Sequence, residues 1–132
     1  DALTSRLQAA GVFAAPVETR ELILEGGAID SDGAGTLLTT EACLLNPNRN
    51  PRLDRQALEA RLRDELGIER VLWLRHGHLE GDDTDSHVDT LARFCDPQTI
   101  AYVRCDDPTD SHYAALRAME AELGLSSSGQ LT

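Results

Sequence analysis

The sequence contains no lysine: all twelve basic residues are arginine, against 23 aspartates and glutamates. The resulting net charge of -11 argues against nucleic-acid binding, which would need a basic surface. It favours small cationic ligands, although an acidic surface is also a common solubility feature. No apolar run approaches the ~20 residues of a membrane span, and the first residues do not form a signal peptide. We therefore expect a cytoplasmic protein without membrane contacts, whose Asp1 is not a native N-terminus.

Cysteine is scarce and follows no recognisable pattern. Cys43, Cys95 and Cys105 are an odd number of thiols, and their spacing fits neither a metal-binding nor a redox motif. Reduced thiols in a cytosolic protein are the simplest interpretation. Each cysteine lies in or beside an apolar stretch, which predicts a structural role for all three.

The length of 132 residues allows one domain or a piece of one, and 41% hydrophobic residues predict a folded core. Asp54 before the helical stretch and Gly67 after it predict a well-capped helix over Arg55–Leu66. The pattern also indicates a helix over residues 2–10, strands at Val12–Val17 and Glu21–Leu24, a hairpin of Ala28–Ser31 with Thr36–Thr40, a strand at Val71–Leu74 covered on both faces, strands at Val88–Phe94 and Ile100–Arg104, a helix from about Thr109 to Gly124, and a polar tail at Ser126–Gly129. This order suggests two strand-strand-helix-strand units, the second cut short.

Two short segments carry backbone signals. Gly26 and Gly27 follow a predicted strand, which indicates either a simple turn or backbone that approaches another group closely. The loop Asn46–Pro51 is rich in side chains that form hydrogen bonds. A rigid connector is favoured there over a binding role.

The segment Gly81–Asp89 holds four aspartates and one histidine, with no basic residue. It cannot be core, because ionised carboxylates lose too much solvation when they are buried without partners. In an extended chain His87 and Asp89 would project on the same face, with Val88 on the other. An imidazole beside a carboxylate suits proton transfer next to a bound cation, or ligation of a metal.

Three interpretations of this segment remain open. It could be an acidic loop that is merely solvated. It could bind a guanidinium group through carboxylates, with His87 transferring protons and Glu25 orienting that histidine. It could instead bind zinc or manganese through a set drawn from His76, His78, Asp82, Asp83, Asp85, His87 and Asp89.

Two long stretches resemble one known family. Leu24–Ile29 together with Asp32–Pro51, and then Gly81–Asp89, are similar in order and content to the two signatures of the agmatine deiminases, also called Porphyromonas-type peptidylarginine deiminases. The resemblance runs from about Glu21 to Val103. It implies an α/β fold that forms part of a five-bladed propeller of ββαβ units, with about two blades in this chain.

The resemblance also implies a reaction and its residues. Agmatine would be hydrolysed to N-carbamoylputrescine and ammonia, in putrescine biosynthesis, without a metal or organic cofactor. His87 would be the general acid and base, Asp89 would hold the guanidinium nitrogens, and Glu25 would support both. Gly26 and Gly27 would let the backbone approach the site. Ser86 departs from the family, which usually has glycine there.

The resemblance implies an incomplete site as well. The family's nucleophilic cysteine lies in a glycine-rich segment that nothing in this chain matches. We therefore expect residues 1–132 to be a partial catalytic domain, truncated at both ends and inactive by itself. Peptidyl-arginine deimination and a non-catalytic acidic binding or assembly module are the alternatives, and exposed sheet edges would allow a homo-oligomer.

Overall fold

The computed structural model describes residues 2–124. Within these residues, four helices and five strands follow one another, with two short 3-10 helices at Gly26–Ala28 and Val88–Thr90. The helices are α1 (Leu3–Ala9), α2 (Glu41–Leu44), α3 (Arg55–Leu66) and α4 (Tyr113–Glu122), and the strands are β1 (Ile29–Ser31), β2 (Thr36–Thr40), β3 (Arg70–Leu74), β4 (Ala92–Asp96) and β5 (Thr99–Tyr102).

A three-stranded sheet with the order β1-β2-β3 forms the centre of the described chain. β1 and β2 are the predicted hairpin, with Ile29 opposite Thr39, and β2 pairs in parallel with β3, with Thr36 opposite Arg70. In the connecting turn, Asp32 Oδ1 accepts hydrogen bonds from the backbone N–H groups of Ala34 and Thr36. β4 and β5 form a separate antiparallel pair with a bulge near Phe94.

Every residue of β2 is buried. Successive side chains of a strand point to opposite faces, so β2 contributes to two hydrophobic cores. Leu37 packs with residues of α2 and α3, whereas Leu38 packs with residues of α4 and the β4–β5 hairpin. The sequence predicted a strand covered on both faces at Val71–Leu74, but β3 lies at the edge of the described sheet and is only half-buried over residues 71–73. β2 is the strand that is fully covered.

Helix α3 confirms its prediction at both ends. The side chain of Asp54 accepts a hydrogen bond from the backbone N–H of Ala57, and Gly67 takes the left-handed conformation with φ +69°. The N–H of Gly67 donates to the carbonyl of Arg63 at 3.0 Å, which is the hydrogen bond of an αL cap, and the N–H of Ile68 lies 3.5 Å from the carbonyl of Leu62. The sequence alone is sufficient to predict both ends of this helix, because each cap involves residues only a few positions apart.

The predicted strands at Val12–Val17 and Glu21–Leu24 are wrong. No strand lies at either segment, since neither finds a partner strand among residues 2–124. The side-chain amide of Asn50 takes the place of a partner at Ile23: it donates to the Ile23 carbonyl at 2.8 Å and accepts from the Ile23 N–H at 3.0 Å. A β-rich composition alone does not make a strand when the backbone bonds to a side chain instead.

The last third of the chain departs from its prediction in smaller ways. Residues 88–90 form a 3-10 helix and the strand begins at Ala92, so His87 and Asp89 do not belong to an extended segment. Helix α4 begins at Tyr113 rather than near Thr109, because the side chains of Asp107 and Asp110 hold the preceding residues in turns. The predicted tail Ser126–Gly129 lies outside the described residues. Within residues 2–124, none of the helices has the length and apolarity that crossing a bilayer requires.

Candidate active site

Two neighbouring threonines at the end of β2 position the segments that carry the candidate residues. Thr39 Oγ1 donates to the carbonyl of Ala28, and Thr40 Oγ1 donates to the carbonyl of Ser86, each at 2.7 Å. Both threonines are buried, so these hydrogen bonds form away from competing water. They hold the Gly26–Ala28 helix and the start of the Val88–Thr90 helix against the same strand end.

Gly27 is the point where these two segments touch. A Cβ atom at this residue would lie 2.6 Å from His87 Nδ1 and 2.7 Å from Asp89 Oδ2. The imidazole and the carboxylate therefore share the space above one glycine. Around Gly26 nothing described lies within 4 Å of such an atom. The close approach expected for both glycines thus occurs at Gly27 and not at Gly26.

Glu25 lies on the other side of the same imidazole. His87 Nε2 is 3.4 Å from Glu25 Oε2, a distance that permits an ion pair. The two groups are not aligned for a hydrogen bond, and the buried Nε2 atom has no hydrogen-bond partner within residues 2–124. Asp89 is exposed, and its carboxylate makes no ion pair or hydrogen bond within the same residues. The site thus presents an imidazole that meets Glu25 at ion-pair distance and the free carboxylate of Asp89.

Arg49 connects Glu25 to the acidic segment, although the sequence pointed to a rigid connector at Asn46–Pro51. Its side chain is 7% exposed. Nε donates to Glu25 Oε2, Nη2 lies 3.3 Å from Glu25 Oε1, and Nη1 lies 2.8 Å from Asp85 Oδ2. Further bonds from the guanidinium group reach the carbonyls of Cys43 and Thr84 and the side chain of Asn48. The loop therefore contributes directly to the site.

The ionisation of this cluster follows from these contacts. The hydrogen bond from Arg49 is the largest cause that lowers the pKa of Glu25, and burial opposes it. The same guanidinium lowers the pKa of Asp85. In return, the hydrogen bond to Glu25 raises the pKa of Arg49. Both carboxylates are therefore ionised, and the guanidinium is charged, at neutral pH.

The acidic segment folds around Asp82 and contains a strained turn. Asp82 accepts hydrogen bonds from the hydroxyl and backbone N–H of Thr84 and from the N–H of Ser86, and the hydroxyl contact contributes most to its lowered pKa. Asp85 and Ser86 both have left-handed backbones, with φ of 63° and 61°. Residues with a side chain are disfavoured in the left-handed region of backbone conformation, whereas glycine is not. This explains physically why the family would have glycine at the position of Ser86.

Cys43 lies beside this cluster, which the sequence did not indicate. Its Sγ atom is 3.9 Å from Glu25 Oε2, and its side chain is completely buried. Burial is the main cause that raises the pKa of Cys43 to about 11. The structural role expected of all three cysteines fits the burial of Cys43, whereas Cys95 is exposed and Cys105 is half-buried.

The seven residues of the alternative metal set do not converge. His76 bonds to Glu122 on α4, and His78 lies beside Asp82, Asp83 and Asp85 in an open surface cleft. In the part of the chain that the structure describes, the metal-ligating side chains that come together are Glu25, Cys43 and His87.

A sequence profile of the Porphyromonas-type peptidyl-arginine deiminases matches residues 1–130. The chain belongs to this family. It is 48% identical over 105 residues to the agmatine deiminase of Stutzerimonas stutzeri, an alignment that covers 80% of this chain and 28% of that protein. The chain thus spans less than a third of the length of this curated relative.

Solved structures of agmatine deiminases superpose closely on this member of the family. A cysteine-to-serine variant from C. jejuni with substrate bound gives a TM-score of 0.89 at 41% identity, and the match covers 98% of this chain and 38% of the other. The Enterococcus faecalis agmatine deiminase gives 0.77 at 34% identity, covering 97% and 35%. The predicted fold class, an α/β chain that forms part of the family's propeller, is confirmed.

Sequence reasoning missed Arg49 and Cys43. Arg49 is one of several hydrogen-bonding residues in a turn-rich loop, and that density of polar side chains was the available signal. Nothing in the sequence indicated that Cys43 lies at the site, since a cysteine in an apolar stretch can occupy any buried position.

Proposed function

We propose that the chain carries the guanidinium-binding and acid–base half of an agmatine deiminase active site. The whole protein would hydrolyse agmatine to N-carbamoylputrescine and ammonia, a step that supplies putrescine. The observation that carries the proposal is the meeting of His87 with Glu25 on one side and Asp89 on the other, across Gly27. Family membership and the substrate-bound relative support the same choice.

Asp89 and Glu25 would bind the substrate cation. Ionised carboxylates bind a guanidinium through charge-assisted hydrogen bonds, and the exposed Asp89 has all its lone pairs free within the described residues. Glu25 is engaged by Arg49 on one side, which fixes its orientation before substrate arrives. Preorganised charge of this kind stabilises a transition state without rearrangement during the reaction.

His87 would move the protons. After a thiolate attacks the guanidinium carbon, His87 gives a proton to the departing ammonia. It then takes a proton from the water that attacks the covalent adduct, and the thiolate leaves as the ureido product forms. The buried Nε2 atom without a hydrogen-bond partner is the nitrogen that faces Glu25, so that carboxylate would stabilise the imidazolium.

Cys43 is a poor candidate for the nucleophile, despite its place beside Glu25. It is fully buried, and burial raises its pKa to about 11, so almost none of it is thiolate at neutral pH. Among the described residues, Cys43 is also the only cysteine whose sulfur comes together with Glu25 and His87, so the attacking thiolate would come from a part of the protein outside residues 1–132. We also propose that the protein is cytoplasmic, and the three free thiols of Cys43, Cys95 and Cys105 support that location.

Activity assays on the whole protein test this function. Agmatine should yield ammonia and a ureido product, and His87→Ala should lower kcat by about 10²–10⁴. His112→Gln is the matched control, since His112 bonds to Asp110 and Glu80 near α4. Turnover of peptidyl-arginine rather than agmatine would favour the first alternative. Agmatine binding by calorimetry without turnover would favour a binding module. If the protein neither binds agmatine nor turns it over, the agmatine deiminase function and the binding module are both rejected.

A further inference from the structure

We propose that Glu25, Cys43 and His87 form a binding site for a thiophilic divalent cation, with Zn²⁺ as the ion of choice. One ligand atom from each residue lies within 4.8 Å of the other two. A carboxylate oxygen, a thiolate and an imidazole nitrogen are the three donor types that zinc takes in proteins. The site goes beyond the proposed reaction, in which Cys43 has no part.

The spacing of the donor atoms is close to that of a tetrahedral site. With zinc–ligand bonds of about 2.0–2.3 Å, neighbouring ligand atoms are about 3.3–3.8 Å apart. Glu25 Oε2 is 3.4 Å from His87 Nε2, which fits one edge of the tetrahedron, and 3.9 Å from Cys43 Sγ, which is slightly longer than a second edge. The third edge, between the ligand atoms of Cys43 and His87, is no longer than 4.8 Å and would shorten on binding. A water molecule would take the fourth position.

The state of His87 is the second observation that favours a cation. Its Nε2 atom is buried and has no hydrogen-bond partner in residues 2–124. A buried polar atom without a partner costs free energy, and a metal bond to this nitrogen removes that cost. In the neutral imidazole with the proton on Nδ1, the Nε2 lone pair is free for a metal.

The charges around the site also favour a cation. The carboxylates of Glu25, Asp82 and Asp85 lie at or beside the site, and they outnumber the single guanidinium of Arg49. Arg49 Nε shares Glu25 Oε2, but a carboxylate oxygen has two lone pairs, and Nη2 already contacts the other oxygen. The guanidinium can therefore stay in place while the metal binds.

Binding exchanges a proton for the metal. The sulfur–hydrogen bond of Cys43 breaks, the proton goes to solvent, and the sulfur forms a bond to zinc. Bound zinc would occupy Glu25, which the proposed function assigns to the guanidinium, and His87, which it assigns to proton transfer. Zinc would then compete with agmatine, a consequence that rests on the proposed function, whereas the binding itself does not.

Cobalt titration of the 132-residue chain tests the site without any substrate. Co²⁺ should produce a thiolate-to-metal charge-transfer band, and Zn²⁺ should abolish it. Cys43→Ser should remove the band and weaken Co²⁺ binding at least ~10-fold. Cys95→Ser and Cys105→Ser are the matched controls, and each should keep the band. A wild-type chain without the band at millimolar Co²⁺, or a band that depends on Cys95 or Cys105, would overturn the proposal.

A second variant covers the case in which Cys43→Ser does not fold, as judged by circular dichroism. His87→Gln replaces a partly exposed ligand and should also weaken Co²⁺ binding at least ~10-fold. Wild-type affinity in this variant would overturn the site. Because the titration contains no agmatine, its failure leaves the deiminase proposal intact, and a lack of agmatine turnover leaves the metal site intact.

Discussion

Gly27 lies against His87 so closely that any Cβ at residue 27 would come within 2.6 Å of the imidazole Nδ1. The same atom would come within 2.7 Å of Asp89 Oδ2. Both neighbours are ends of side chains that can rotate away, so the fold should survive a methyl group here. The methyl group should, however, displace the His87 imidazole and the Asp89 carboxylate from their present positions.

Gly27→Ala should therefore reduce agmatine turnover much more than it reduces stability. Displacing a reacting group by about 1 Å costs about 10²-fold in rate, and we expect a loss of kcat/KM of that size in the whole protein. Gly26→Ala is the matched control, because open space surrounds a Cβ at Gly26 in the described chain. Equal losses in the two variants would show that the contact with His87 does not matter.

Ser86→Gly should stabilise the chain. Ser86 has a φ of 61°, its hydroxyl makes no hydrogen bond within residues 2–124, and its backbone contacts to Asp82 and Thr40 do not need a side chain. Relief of the left-handed strain, less the extra chain entropy of glycine, should raise the free energy of unfolding by about 0.5–1 kcal/mol. Urea unfolding followed by the fluorescence of the single tryptophan measures it. Ser86→Ala keeps the strain and should not stabilise.

Arg49→Lys should destabilise the chain although the charge is kept. Lysine lacks the planar fork that contacts Glu25 and Asp85 together. We expect a loss of about 1–3 kcal/mol in the free energy of unfolding at neutral pH, at the lower end because both carboxylates are more than a third exposed. Arg93→Lys is the control: Arg93 is largely exposed, and within residues 2–124 its side chain bonds to Asp30 alone, so its replacement should cost under ~1 kcal/mol.

The contribution of Arg49 to stability should depend on pH with a defined sign. Arg49 lowers the pKa of Glu25 and Asp85 in the folded chain, so their stabilisation is complete above the unfolded-state values and is lost as the pH falls through the folded-state values. The difference in unfolding free energy between wild type and Arg49→Met should thus be constant near neutrality and shrink below about pH 4. Urea unfolding across that range measures it, and a difference that grows on acidification would contradict the ion pairs.

The elements that the sequence predicted correctly depend on neighbours in the chain. Helix α3 is specified by Asp54 and Gly67 at its ends, and the hairpin by its turn around Asp32. The strand at Glu21–Leu24 was wrong because a strand requires a partner, and Asn50 satisfied the backbone of Ile23 instead. Whether Glu21–Leu24 forms a strand therefore depends on Asn50, which is 27 positions from Ile23 in the sequence.

The candidate site divides in the same way. By itself the sequence determined the family, through two long motifs in order, and it named Glu25, His87 and Asp89 as a group. It could not determine that Arg49 and Cys43 lie beside Glu25, since neither residue is close to it in the chain. Only the tertiary structure decided this, because the buried hydroxyls of Thr39 and Thr40 hold two distant segments at the end of one strand.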